Sequence, residues 1–351
     1  MGHLSIDNVT GDRLSRRLPA LFTALPAARA HIPWMPLGRF PTRVERVDGL
    51  LPRGVELWVK REDESGDLYG GNKVRKLEFL FGDARARGCT RLVTFGGWGA
   101  HHVVATSLYG ARHGFAVEAA LFPQPLDAHV REQLLVDAAA GTRILPVGSW
   151  LGVVPVWARA RLAHDTAWLA GGGSSALGAL GWASAGYELL DQVRAGELPP
   201  FDTLYAALGS GGTVAGLAWS LPATVELVGV RVVGALACGR RRVDELVRGI
   251  DALLAPFGAP PRGRARMRLE TRFAGRYGVA TPASADAVRA AARVGLALDP
   301  IYTGKVLAAL LADARAGLLD GKRILFLHSH NGVDLTPLLR SLPYVRPPIG
   351  T

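Results

Sequence analysis

Cysteine is nearly absent, with only Cys89 and Cys238 in 351 residues. The two are isolated and lack any metal-ligand spacing. That argues against a disulfide framework and a cysteine-built metal site, and it points to a reducing, cytoplasmic setting. No metal is expected. Long apolar runs are also missing, so no membrane partner is expected. Residues 1–30 mix arginine with aspartate and lack an apolar signal core, so they read as part of the mature protein. Lysine is the most informative scarcity: it stands only at 60, 73, 76, 305 and 322, and every other basic side chain is arginine. Arginine serves wherever a positive charge suffices. A retained lysine therefore marks a candidate for work that needs a primary amine, such as condensation with an aldehyde, which guanidinium does not readily undergo. Lys322 is read as a chance survivor.

Hydrophobic residues make up 49% of the chain, enough for a full core in one large or two modest domains. The formal charge is +11. The arginines are scattered and often stand beside acids, and the densest run, Arg240-Arg241-Arg242, leads into Asp244 and Glu245. There is no basic stripe interleaved with aromatics and no nucleic-acid motif. A solvated basic surface is expected, with no nucleic-acid partner.

Strand-like and helix-like segments alternate. Strands are expected over 91–95, 115–122, 143–147, 202–208, 225–233 and 323–328. Helices are expected over 101–112, 130–140, 213–220 and 245–254. This spacing predicts βαβ units and a parallel sheet, an α/β fold. The stretch Gly171-Gly172-Gly173-Ser174-Ser175 is the best candidate for a return crossing between two α/β domains, though an ordinary loop reads equally well.

Five constellations could carry chemistry. Gly70-Gly71-Asn72-Lys73-Val74-Arg75-Lys76 opens a helix with Asn72 at its N-cap and Lys73 and Lys76 on one side. Cations are disfavoured there unless an anion is present or the amine is neutralised, and exposed lysines opening a helix are an equal alternative. Gly209-Ser210-Gly211-Gly212-Thr213 lies between a strand and a helix, where free backbone N–H groups cradle phosphate. Its spacing matches neither a Walker motif nor a dinucleotide fingerprint. Gly96-Gly97-Trp98-Gly99-Ala100-His101-His102 is a third glycine turn. Adjacent histidines on a helix diverge, so one can face a ligand while the other packs. Asp299-Pro300-Ile301-Tyr302-Thr303-Gly304-Lys305 enters a helix. His328-Ser329-His330-Asn331-Gly332 ends the last strand, where open α/β sheets bind ligands.

Together, and in this order along most of the chain, these residues resemble the fold-type II pyridoxal 5′-phosphate (PLP) enzymes of the D-cysteine desulfhydrase and 1-aminocyclopropane-1-carboxylate (ACC) deaminase family. The likeness runs from Lys60-Arg61-Glu62-Asp63 through GGNKVRKLEFL, GGGSSALGALG, GSGGTVAG and DPIYTGK to HSHNG. It implies two open, mostly parallel-sheet domains of the tryptophan synthase β type, with the cofactor in the cleft between them. Residues 1–65 and 175–351 would form the large PLP-binding domain and 66–174 the small one. Lys73 would carry the Schiff base, while Lys76 with Gly209, Ser210, Gly211, Gly212 and Thr213 would hold the phosphate. Ser329 stands where the desulfhydrases bond a threonine to the pyridine nitrogen. Tyr302 and Tyr277 match active-site tyrosines, and Thr303 matches the desulfhydrase-like form. The family's Gln-Ser-Asn segment is here Gly99-Ala100-His101. Ala100 thus replaces a hydroxyl that binds substrate carboxylate, and His101 replaces the residue that touches the cofactor phenolic oxygen.

The resemblance implies a homodimer acting on a small amino acid. Lys73 would take the α-proton, PLP would be the electron sink, and Tyr302, Tyr277 or His101 would protonate the leaving group. The leading expectation is a β-eliminating lyase or deaminase. A β-replacement synthase and a non-catalytic PLP-binding protein are the alternatives.

Overall fold

The computed structural model describes residues 18–234, 238–259, 264–276 and 278–341. Ten strands are present among them: β1 (Val44–Val47), β2 (Glu56–Lys60), β3 (Arg91–Gly97), β4 (Ala116–Phe122), β5 (Arg143–Pro146), β6 (Thr166–Trp168), β7 (Thr203–Leu208), β8 (Glu226–Arg231), β9 (Arg266–Glu270) and β10 (Arg323–Leu327). The α-helices are α1 (Ala20–Ala24), α2 (Lys73–Ala86), α3 (His101–Arg112), α4 (Ala128–Ala139), α5 (Val153–Leu162), α6 (Ala176–Arg194), α7 (Gly212–Ser220), α8 (Arg240–Leu254), α9 (Pro282–Ala292), α10 (Thr303–Arg315) and α11 (Thr336–Ser341).

The strands form two sheets. One has the order β1-β2-β10-β7-β8-β9, the other β5-β4-β3-β6. Every pairing is parallel except β1 with β2. All six residues of β7 are buried, as a strand covered by helices on both faces requires. The chain therefore has the expected α/β fold with two parallel-sheet regions. Among the described residues no helix is long and apolar enough to cross a membrane.

Glycine permits the closest helix contacts. A Cβ at Gly216 would lie 2.4 Å from the Ala179 carbonyl oxygen, so α6 and α7 touch backbone to backbone. A Cβ at Gly181 would lie 2.0 Å from the Arg75 carbonyl, which seats α2 against α6 in the same way. This contact fixes the helix that carries Lys73.

The expected strands and helices appear within a few residues of their predicted ends, with one larger extension. Helix α8 begins at Arg240 rather than 245, because Arg240–Asp244 and Arg241–Glu245 pair four residues apart along its first turns. Sequence reading missed β1, β2, β6 and β9, which are short. It also missed α6, where residues 178–189 are buried without a break and so show little polar alternation.

Candidate active site

A cavity of about 390 Å³ lies between the two sheets. Its wall includes the ends of β3, β7 and β10 and the starts of α2, α3 and α7. All five constellations meet there, at the carboxyl ends of parallel strands.

Lys73 is the first residue of α2, and its Nζ donates to Asn72 Oδ1 at 2.8 Å. Asn72 holds the N-cap position, but its side chain does not cap the helix. Its Nδ2 donates to Thr213 Oγ1 at 3.1 Å. The side chain expected to cap α2 instead ties the lysine to the glycine turn after β7. Burial pushes the Lys73 ammonium down to about 8, with Asp299 pulling the other way. The amine is thus within reach of its neutral form near physiological pH. Of the other lysines, Lys60 is buried against Glu188, and Lys305 is buried with its Nζ donating to the Ala274 carbonyl at 2.6 Å. Lysine scarcity therefore marked two structural cations as well as two at the cavity.

Ser174 organises the other end. Its Oγ lies 3.1 Å from Lys76 Nζ, 2.7 Å from Ser210 Oγ and 3.1 Å from the Gly212 backbone nitrogen, which donates to it. Lys76 Nζ also donates to the Gly172 carbonyl at 3.1 Å, and Arg242 donates to the Ser174 carbonyl at 2.9 Å. Gly211 has φ +94°, a left-handed conformation that favours glycine. A Cβ at Gly212 would stand 2.7 Å from Ser174 Oγ and 3.1 Å from Lys76 Nζ. The opening turn of α7 is thus a cradle that a side chain would fill, beside a buried ammonium. Burial first, and then Lys73, press the Lys76 ammonium well below its usual range. A bound anion would relieve both effects. Sequence reading missed Ser174 because its stretch looked like a crossing loop; its only signal was serine among glycines.

His101 faces the same cavity. Its Nδ1 is hydrogen-bonded to the Tyr69 hydroxyl, which also lies 3.4 Å from Gln133 Oε1. The His101 ring meets Tyr302 edge-on at 6.3 Å between centroids, His330 at 5.5 Å and His129 at 5.4 Å. Burial and the neighbouring His330 hold His101 down to about 3, so it is neutral at pH 7. His102 points elsewhere, as divergent neighbours should: it is buried and its Nε2 lies 3.0 Å from Thr94 Oγ1.

Asp299 accepts from the backbone nitrogens of Ile301, Tyr302 and Thr303 and from the Thr303 hydroxyl. Burial would raise its pKa, but His330 and the Thr303 bonds outweigh it and keep the carboxylate ionised. Thr303 therefore serves the turn that sets Tyr302. Ser329 and Tyr302 line the cavity, as do Lys73, Lys76, His101, Gly209, Ser210, Gly211 and Thr213. Tyr277 lies outside the described residues. Asn331 was quoted in a motif without a role; its Oδ1 accepts from the Gly70 nitrogen at 2.6 Å and locks the turn before Lys73.

A half-buried amine of lowered pKa beside an anion cradle is what an aldehyde-bearing phosphate ester requires. The sequence profile described as pyridoxal-phosphate dependent enzyme matches residues 35–330. The chain belongs to this family. It is a fold-type II PLP enzyme related to the ACC deaminases and D-cysteine desulfhydrases. Nocardicin C-9′ epimerase of Nocardia uniformis subsp. tsuyamanensis is 37% identical over 317 residues, covering 85% of this chain and 92% of the relative. D-cysteine desulfhydrase of Salmonella schwarzengrund (strain CVM19633) is 33% identical, covering 84% and 94%. The crystal structure of an ACC deaminase homologue superposes with a TM-score of 0.75 at 28% identity, over 93% of this chain and all of that one.

The residues fit PLP. The cradle at Gly211 and Gly212 with Lys76 and Ser174 suits the phosphate, Lys73 suits the aldehyde, and Ser329 offers a hydroxyl at the cavity wall. Gly212→Val is expected to weaken PLP binding about tenfold or more, since one lost charge-assisted hydrogen bond alone costs about 1.5–3 kcal/mol. Fluorescence titration of the cofactor-free protein with PLP measures it.

Proposed function

We propose that this enzyme acts on a small amino acid, taking its α-proton with Lys73 and releasing a group from the β-carbon, as a D-cysteine desulfhydrase-like lyase. The observation that carries this reading is the Lys73 amine itself: half-buried at the cavity wall, brought down to about 8 by its surroundings, and set beside an anion cradle. Bound PLP supplies an aldehyde for the substrate amine and an electron sink for its α-carbon. Asn72 orients the Lys73 Nζ through its 2.8 Å hydrogen bond. Tyr302 and His101 would hold the proton for the leaving group, and the Ser329 hydroxyl, a neutral partner, would limit charge build-up at the cofactor ring.

Epimerisation at the α-carbon is the second reading. One observation favours it: the 37% identity to nocardicin C-9′ epimerase. We further propose that residues 1–65 with 175–351 and residues 66–174 act as two domains closing on the cofactor, in a cytoplasmic homodimer.

Purified enzyme with PLP and a panel of D- and L-amino acids separates these readings. Keto acid and ammonia would support the lyase, and an inverted α-centre would support the epimerase. A new amino acid formed with an added thiol would indicate β-replacement and overturn both. The α-proton step has a pH signature. Lys73 acts as a base only when neutral, so solvent deuterium exchange at the α-carbon should rise about tenfold per pH unit below about 8 and level off above it. A flat profile would remove Lys73 from this role.

A further inference from the structure

Tyr69 precedes the Gly70-Gly71 pair that leads into Lys73. Its side chain is buried in an apolar cluster with Val74, Leu77 and Tyr109, and its own carbonyl accepts from the Tyr109 hydroxyl at 2.8 Å. The phenol ring is thus held from both ends before its hydroxyl meets a partner. Two acceptors lie within reach of that hydroxyl. One is His101 Nδ1, to which it is hydrogen-bonded, and the other is Gln133 Oε1 at 3.4 Å, beyond the ordinary range for an O–H···O bond. Burial, with Asp137 and Asp299 adding to it, pushes the phenol well above its usual range, so Tyr69 keeps its proton. The titratable groups facing His101 are Tyr69, Lys73, His129, Asp299, Tyr302 and His330. Burial and His330 hold the imidazole down to about 3, so it carries one N–H only.

We propose that Tyr69 is a positioning residue that fixes His101 in its Nε2–H form, so that this histidine meets the cavity as a hydrogen-bond donor and not as a base. Hydrogen-bond accounting leads there. The phenol has one proton to donate, and His101 Nδ1 is its only well-placed acceptor. Nδ1 then offers its lone pair, and the single ring proton lies on Nε2. Nε2 has no hydrogen-bond partner among the described residues, and His101 lines the cavity. The opposite tautomer is worse on both sides. Nδ1–H would donate to the Tyr69 oxygen and leave the buried phenol proton with the marginal Gln133 contact. Nε2 would also turn a lone pair toward a cavity whose amines and glycine cradle suit anions. The use of the Nε2 proton in turnover rests on the proposed function, in which His101 holds a proton for the leaving group. Tyr69 acts through His101 and needs no contact with the substrate.

Two-bond proton–nitrogen spectra of the full-length protein labelled with ¹⁵N-histidine show which ring nitrogen carries the proton, and His101→Gln assigns the signals. At pH 7 the wild type should hold the His101 proton on Nε2, with and without PLP. Tyr69→Phe keeps the packed ring and removes only the hydroxyl, and it should give a mixture of the two tautomers. A wild-type proton on Nδ1 would overturn the proposal, as would an unchanged His101 spectrum in Tyr69→Phe. If that variant fails to fold, the wild-type tautomer decides alone. In the PLP-loaded enzyme, with D- and L-cysteine and D- and L-serine in D₂O, Tyr69→Phe should lower product formation at least about fivefold, the equivalent of one lost hydrogen bond. PLP content and α-proton exchange should stay at the wild-type level, because Lys73 and the cradle make no hydrogen bond to Tyr69. Full turnover despite mixed tautomers would remove Tyr69 from this role. No α-proton exchange in the wild type would count against the proposed function and leave the tautomer to the NMR result.

Discussion

Lys73→Ala is expected to abolish the yellow colour that PLP gives the purified protein and to lower turnover at least about 10³-fold, the upper part of the range for removing a proton-transfer group. No neighbouring amine can replace it. Lys76 is committed to the Gly172 carbonyl and Ser174, and Lys60 and Lys305 are buried elsewhere against Glu188 and the Ala274 carbonyl. PLP should still bind through the phosphate cradle, because Ser174, Gly212 and Lys76 are bonded to one another and not to Lys73 Nζ. Absorbance, together with PLP content after dialysis, separates the two functions. A Lys73→Ala protein that stays yellow and active would refute the assignment of the amine. A colourless wild type that remains so with added PLP would refute the site itself.

Arg75→Ala should produce the largest loss of stability, about 3–5 kcal/mol, the usual cost of removing one partner from a buried ion cluster. Arg75 follows the cavity lysine by two positions but points into the core. Its guanidinium bonds Glu62 through Nε and Nη2 at 2.7 Å each, and Glu188 through Nη1 at 3.0 Å and Nη2 at 2.8 Å. The exposed fractions of the three side chains are 3%, 0% and 9%, so no solvent replaces the lost partner. Lys60, 2.6 Å from Glu188, would be the cation left, with Thr42 still donating to both carboxylates. Burial raises the Glu188 pKa, but Arg75 and Lys60 outweigh it and hold the carboxyl down to about 2. That lies below the unfolded value of about 4.3. Its contribution is therefore complete above the unfolded pKa and is lost as pH falls toward 2. Urea unfolding at pH 7 and in mild acid measures both effects. Adding Glu62→Gln alone to Arg75→Met should recover part of the loss, since Glu188 still pairs with the buried Lys60 and no unpaired charge stays buried.

Much of the chemistry was legible in residue order. GGNKVRK announced an amine at a helix start, and GSGGT between β7 and α7 announced an anion cradle, because glycine-rich strand-to-helix turns expose N–H groups wherever they occur. The βα alternation was legible for the same local reason, since each strand and helix carries its own hydrophobic period. Arg75 was invisible as a core residue; in sequence it is one more cation of a basic helix start. Ser174, Tyr69 and the Asp299–His330 pair were equally hidden, as serine, tyrosine and histidine carry no local signature of their partners.

The sequence by itself determined the fold class and the family, and it singled out the lysine and the glycine turn that line the cavity. Only the tertiary structure decided which side chains complete the site. Asn331 reaches the Gly70 nitrogen across 261 positions and Ser174 reaches Lys76 across 98. Such contacts depend on how two sheets are brought together, and local propensity contains no term for residues that distant.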